Sequence, residues 1–254
     1  DWERLLPFFG YQPIESIKAP WQATTRHGGE GVNTYMRKHF KSRNPALNVI
    51  RRSEPVATDF IFGPAPSIEG KCTTACLFVG RHTFVADVYA IKRDSMFINA
   101  LEDQIRERGA MDLLISDRAA VEVSKKVKDI LRAYCIRDFQ SEPYHQHQNF
   151  AENRYAVIKR WINNILHQTG AAHNLWFLCA EYFCHILNHI TSHAHCNTPP
   201  LQSLTGQTVD ISALLCYTFN QKVIYVTPDI DSNRKLEHTG RWVGFAKNVG
   251  DALT

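Results

Sequence analysis

The chain has 254 residues, 44% of them hydrophobic, and a formal net charge of +4, an ordinary soluble composition that can bury the core of one large domain or a domain with appendages. Seven cysteines, odd in number and irregularly spaced, give no reason to propose a disulfide framework and predict reduced thiols in a cytosolic or nuclear compartment. The most apolar stretch, LWFLCAEYFCHILNHI, is interrupted by Glu181, His185 and His189 before it reaches membrane-spanning length, so it predicts a buried helix and no membrane partner.

The charge is uneven. Segments 37 to 52 and 118 to 137 are locally basic, which favours a polyanionic partner, although a solvated charged face would read the same way. The chain opens at Asp1 rather than Met, as an excerpt of a longer protein would, and shows no targeting segment.

In chain order, residues 1 to 52 hold a short apolar opening and then a Gly- and Lys/Arg-rich stretch without sustained periodicity, which predicts an N-terminal arm or linker. PVATDFIFG, CTTACLFVG and TFVADVYAI are short β-branched and aromatic runs, the last two joined by a tight Gly80, Arg81, His82 connection, and predict an antiparallel meander. Phe97, Leu101 and Ile105 recur at helical spacing up to Gly109. A buried strand at 111 to 117, a helix carrying Val123, Val127, Ile130, Leu131 and Tyr134, and a short strand near 136 to 141 follow. Two long helices, 151 to 169 and about 174 to 191, come next. After about Ser212, VIYVTP and RWVGFA predict a small C-terminal β region.

This order predicts an α/β fold of the ribonuclease H-like kind: a mixed five-stranded sheet, three strands antiparallel and then a parallel extension, flanked by helices. The core is expected over 53 to 211, with 1 to 52 as the arm and 212 to 254 as the appended β region. The first strand would pair with 111 to 117, making Asp59 and Asp117 neighbours, with Glu152 opening the next long helix. Each acid alone has an ordinary explanation as an edge-strand residue, a cap or a first-turn acid. Drawn together they would repel, and hard divalent cations remove that cost.

The sequences ATDFIF, LISDRAAVE and SEPYHQHQNFAENRYAVIKR resemble the catalytic core of integrases of copia-type long-terminal-repeat retrotransposons, most closely a divergent diatom-like group. The resemblance runs from about Pro45 to the end. It implies a DDE-type polynucleotidyl transferase, cut from a polyprotein, that trims and joins element DNA ends to target DNA. It places the catalytic and metal-ligating triad on Asp59, Asp117 and Glu152, with 34 residues between the last two. It also implies Mg2+ or Mn2+, expected as two ions, and double-stranded DNA, a homo-oligomer and other polyprotein segments as partners. Action in the nucleus after a cytoplasmic particle stage follows from the same resemblance. Arg118 and Phe150 stand where many members have Asn and Gly, and no upstream His/Cys zinc module is recognisable.

DNA contacts are expected from Gln148 and Asn149, which could equally be turn formers, and from Arg154, Lys159 and Arg160 on the helix that Glu152 begins. His185 and His189 have the one-turn spacing of a zinc pair, but the run from Cys184 to Cys196 lies largely in an apolar helix and is assigned no role. Cys72 and Cys76 are expected in the core. Two rivals to an integrase are a ribonuclease H-like nuclease that only hydrolyses and a decayed relic that binds nucleic acid without chemistry.

Overall fold

The computed structural model describes residues 2–25, 42–117, 124–141, 149–190, 198–226 and 237–245. Its centre is a five-stranded sheet of β1 (Arg51–Phe62), β2 (Thr74–Gly80), β3 (Ala86–Ile91), β4 (Ala110–Ser116) and β5 (Arg137–Gln140) in the order β3-β2-β1-β4-β5. The first three strands are antiparallel, while β4 and β5 extend the sheet parallel to β1. This is the ribonuclease H-like arrangement.

Strand alternation builds two cores because successive side chains point to opposite faces. Ala57, Leu77, Val88 and Ile115 face α4 (Phe150–Thr169) and α5 (Trp176–His189). Val56, Phe78, Tyr89 and Leu114 face α2 (Phe97–Arg108) and α3 (Lys125–Ala133). Both faces of the central strands are buried, so β2 and β4 read as nearly continuous apolar runs, and each large side chain sealed there contributes about 1.5–3 kcal/mol.

The N-terminal segment differs from the expected arm. A 3-10 helix at Glu3–Phe9 and α1 (Ile14–Ala23) fold onto the α4/α5 side, with Phe9 and Ile17 fully buried there. Tyr182 donates from its hydroxyl toward the Phe8 carbonyl at 3.2 Å. A cluster of Trp2, Leu5, Leu6, Phe8 and Phe9 cannot stay in water cheaply, and its short 3-10 geometry hides it from a search for 3.6-residue spacing. The expected boundary after residue 52 also cuts β1, whose pairing with β4 begins at Arg51.

A buried ion pair fixes the start of β1. The Arg52 guanidinium contacts Glu54, whose other oxygen accepts from the backbone of His82 at 2.8 Å and Thr83 at 2.9 Å. Burial alone would raise the Glu54 pKa, but Arg52 and these donors outweigh it and hold the carboxyl below its usual range. Gly80 lies directly above: a Cβ there would collide with Arg52, Glu54 and Thr83.

At the C-terminal end, β6 (Lys222–Val226) pairs antiparallel with β7 (Glu237–Arg241). The second strand thus precedes most of RWVGFA. Trp242 and Phe245 instead pack on Tyr182, at ring-centroid distances of 5.4 and 6.5 Å, because burying two aromatic rings outweighs extending an exposed two-stranded ladder.

Candidate active site

The parallel register brings Ala57 beside Ile115, so Asp59 and Asp117 each lie two residues further along neighbouring chains. Glu152 sits in the first turn of α4, where its charge suits the helix dipole. The three acids therefore come from three separate elements. Asp59 and Glu152 are half-buried and Asp117 is exposed.

Their electrostatic proximity shows in Asp59. Burial first, and then the Asp117 and Glu152 charges, push its pKa from 3.8 up to about 6, against a lowering by the Phe60 N–H that its carboxylate accepts at 2.8 Å. Among the described residues, no three acids, histidines or cysteines already form a ready-made metal-ligand group. The donor set fits a hard divalent ion nonetheless: all are carboxylates, and one is held in an unfavourable charged state that a cation would relieve.

Asn149 organises this region. Its Oδ1 accepts from the Ala151 N–H at 3.0 Å and caps α4, while its Nδ2 donates to the Thr58 carbonyl and to Asp117 Oδ1, both at 3.1 Å. Asp117 Oδ1 also accepts from the Ser141 hydroxyl at 2.6 Å. One side chain thus ties β1, the end of β4 and the start of α4 together. This corrects its expected role, because a buried amide spent on three internal bonds is not free to read DNA. An Asn immediately before an amphipathic segment could have signalled the cap. Its links to Thr58 and Asp117, and the bond from Ser141 to Asp117, have no local sequence signature.

The remaining expected DNA contacts separate. Lys159 and Arg160 are exposed, and the Lys159 ammonium lies 5.6 Å from the centre of the Tyr155 ring. Arg154 does not join them: it is half-buried and lines a cavity with Phe150 and Val157, because its helical position turns it toward the sheet. Gln148 lies outside the described residues, as do Arg118, His145, His147, His193, His195 and Cys196.

The His185–His189 pair is a stack rather than an open chelate. The rings lie 4.1 Å apart, the His189 Nδ1 bonds the His185 carbonyl at 2.7 Å, and Phe245 stacks on His185. Burial pushes the His189 pKa down to about 4. Cys72 and Cys76 are both buried, as expected.

No family model matches the sequence, and no curated protein is similar to it. Among solved structures, a chain of the simian T-cell lymphotropic virus intasome in complex with PP2A regulatory subunit B56 gamma is 14% identical, with 78% of this chain covered, 73% of that chain and a TM-score of 0.48. The HTLV-2 integrase catalytic core domain in complex with magnesium, in its trimeric form, is 15% identical over 59% of this chain and 95% of that one, with a TM-score of 0.47. Its dimeric form is 16% identical over 59% and 94%, with a TM-score of 0.45.

Proposed function

We propose that this chain is the integrase core of a copia-type retrotransposon polyprotein of the diatom-like group, a metal-dependent polynucleotidyl transferase that trims element DNA 3′ ends and joins them to target DNA. The observation that supports this reading is that Asp59 and Asp117 continue neighbouring parallel chains and that Asp59 is raised to about 6, first by burial and then by the charges of Asp117 and Glu152. A pair of bound Mg2+ or Mn2+ ions supplies charge neutralisation for the attacking and leaving oxygens of phosphodiester transfer. The three carboxylates would hold them, and the nucleophile is a water or a DNA 3′-hydroxyl. Asn149 and Ser141 position Asp117, and Lys159 and Arg160, both exposed, are the cations available to meet a DNA backbone. Double-stranded DNA, further copies of this chain and other polyprotein segments are its partners, and the nucleus is where it acts after a cytoplasmic particle stage.

The test is cleavage and strand joining on labelled DNA ends with Mg2+ or Mn2+, comparing the parent with Glu152→Gln, which keeps the shape and removes the charge. Joined products from the parent alone support the integrase. Cleavage without joining identifies a hydrolytic nuclease. DNA binding by both proteins with turnover by neither identifies a relic without chemistry.

A further inference from the structure

A cavity of about 590 Å3 opens between α4 and the strands β4 and β5. α4 packs chiefly on β1 and β2, and the flank of the sheet beyond them is left as the cavity floor. Leu113 and Ile115 of β4 and Phe139 of β5 form that floor, and Phe150 and Val157 of α4 form the roof. Phe139 keeps 43% of its surface exposed, a large value for an aromatic ring beside a core. Phe84 completes the wall from a backbone at φ +59°, a conformation that bulky side chains rarely adopt.

Two cations interrupt this apolar lining, Arg81 and Arg154, and no acid lines it among the described residues. The Arg154 Nε is sealed from solvent and has no hydrogen-bond partner among them, and no ion pair to the guanidinium occurs there either. A guanidinium whose Nε is sealed without a hydrogen-bond partner carries a cost that an anion in the cavity would relieve.

The shape and chemistry of the cavity define that anion. Its volume lies in the range of small-molecule sites, which are mostly apolar with a few placed polar groups. The guanidinium edge accepts a planar carboxylate in two parallel hydrogen bonds. Phosphate or sulfate alone would leave the aromatic walls unfilled. We propose that this cavity is a binding site for a small aromatic carboxylate, its ring between Phe139 and Phe150 and its carboxylate on Arg154. The site is separate from the three acids, although Arg154 is two residues from Glu152 and Ile115 two from Asp117. It stands independently of the integrase reading.

The probes are 2-naphthoate, the neutral 2-naphthalenemethanol and inorganic phosphate, titrated into the whole chain by calorimetry and by amide shift mapping. Naphthoate is expected to bind at least about tenfold more tightly than the alcohol, the preference that one charge-assisted bond supplies. Its shifts should centre on Phe139, Phe150 and Val157. Arg154→Gln should erase the preference while leaving binding of the alcohol, and Val157→Trp should erase both. Arg154→Met should raise the urea midpoint, since it removes an uncompensated charge, and this holds whether or not the other variants fold. Equal binding of acid and alcohol, no binding of naphthoate, or binding of phosphate alone would overturn the proposal. A lowered urea midpoint for Arg154→Met would also overturn it by revealing a counter-ion within the protein.

Discussion

Replacing Asp59 by Asn should stabilise the protein at neutral pH, contrary to the usual effect of mutating a half-buried polar residue. The rise in its pKa from 3.8 to about 6 means that the folded state holds the proton more tightly than the unfolded chain. The stabilisation this gives is complete below 3.8 and is lost as pH rises through about 6, so at neutral pH the charged Asp59 is a net cost. At about 1.36 kcal/mol per unit the whole shift is worth about 3 kcal/mol, and solvent screening of a half-buried group reduces this to about 1–2 kcal/mol. Asn keeps the acceptor for the Phe60 N–H and removes the charge. Urea unfolding should therefore show Asp59→Asn ahead by about 1–2 kcal/mol at neutral pH, or several degrees in Tm, and level with the parent in acid. The comparison must be between the two proteins, because His189 tilts the parent profile the other way: its pKa of about 4 makes stability fall as pH drops from 6.5. Mg2+ at ten times its Kd should return about 1.4 kcal/mol to the parent and far less to the variant. A variant less stable than the parent at neutral pH, a gap that persists in acid, or equal metal stabilisation of both would refute this account of Asp59.

Asn149→Ala should lose about 2–4 kcal/mol, the sum of a helix cap and the unpaired acceptors at Thr58 and Asp117. Asn149→Asp keeps the cap but sets a charge against Asp117, so urea unfolding should place it no higher than Ala. Gly80→Ala drives a methyl into the Arg52–Glu54–Thr83 cluster and should lower the unfolding free energy by about 1–3 kcal/mol. Acid unfolding should ease in His189→Gln: the parent loses about 3 kcal/mol between pH 6.5 and 4 through this residue, and a variant with no titrating ring does not.

The sheet was legible because it is written in local patterns. The runs around Phe60, Leu77 and Val88 alternate or stay apolar over strand lengths, and Phe97, Leu101 and Ile105 repeat at helical spacing. The order of those elements alone placed Asp59 beside Asp117. The opening segment was missed because Phe9 and Ile17 are buried in a core built mostly from residues far away in sequence, rather than fixed by a repeat of their own. Trp242 and Phe245 followed the same rule, their aromatic partner Tyr182 outweighing β-propensity. At the site, the acids were visible but their fastening was not. Asn149 looked like a polar loop residue until its amide was found between two strands. Arg154 carried the same charge as Arg160, and only the direction of its side chain separates a surface cation from a cavity wall.

The fastening at Asp117 has a consequence for how the site can vary. Ser141 and Asn149 both close on the same carboxylate oxygen, and the Ser141 N–H is bonded to the Ser116 carbonyl at 2.9 Å. The Asp117 carboxylate is thus gripped from two later points of the chain, Ser141 just past β5 and Asn149 at the start of α4, so its orientation depends on β4, β5 and α4 keeping their mutual spacing. A packing change at Val127, Leu131 or Ile136, which hold α3 and β5 against the sheet, would therefore be felt at the acids although none of these residues touches them in sequence. The core on one face of the sheet and the charged centre at its edge are in that sense one mechanical unit.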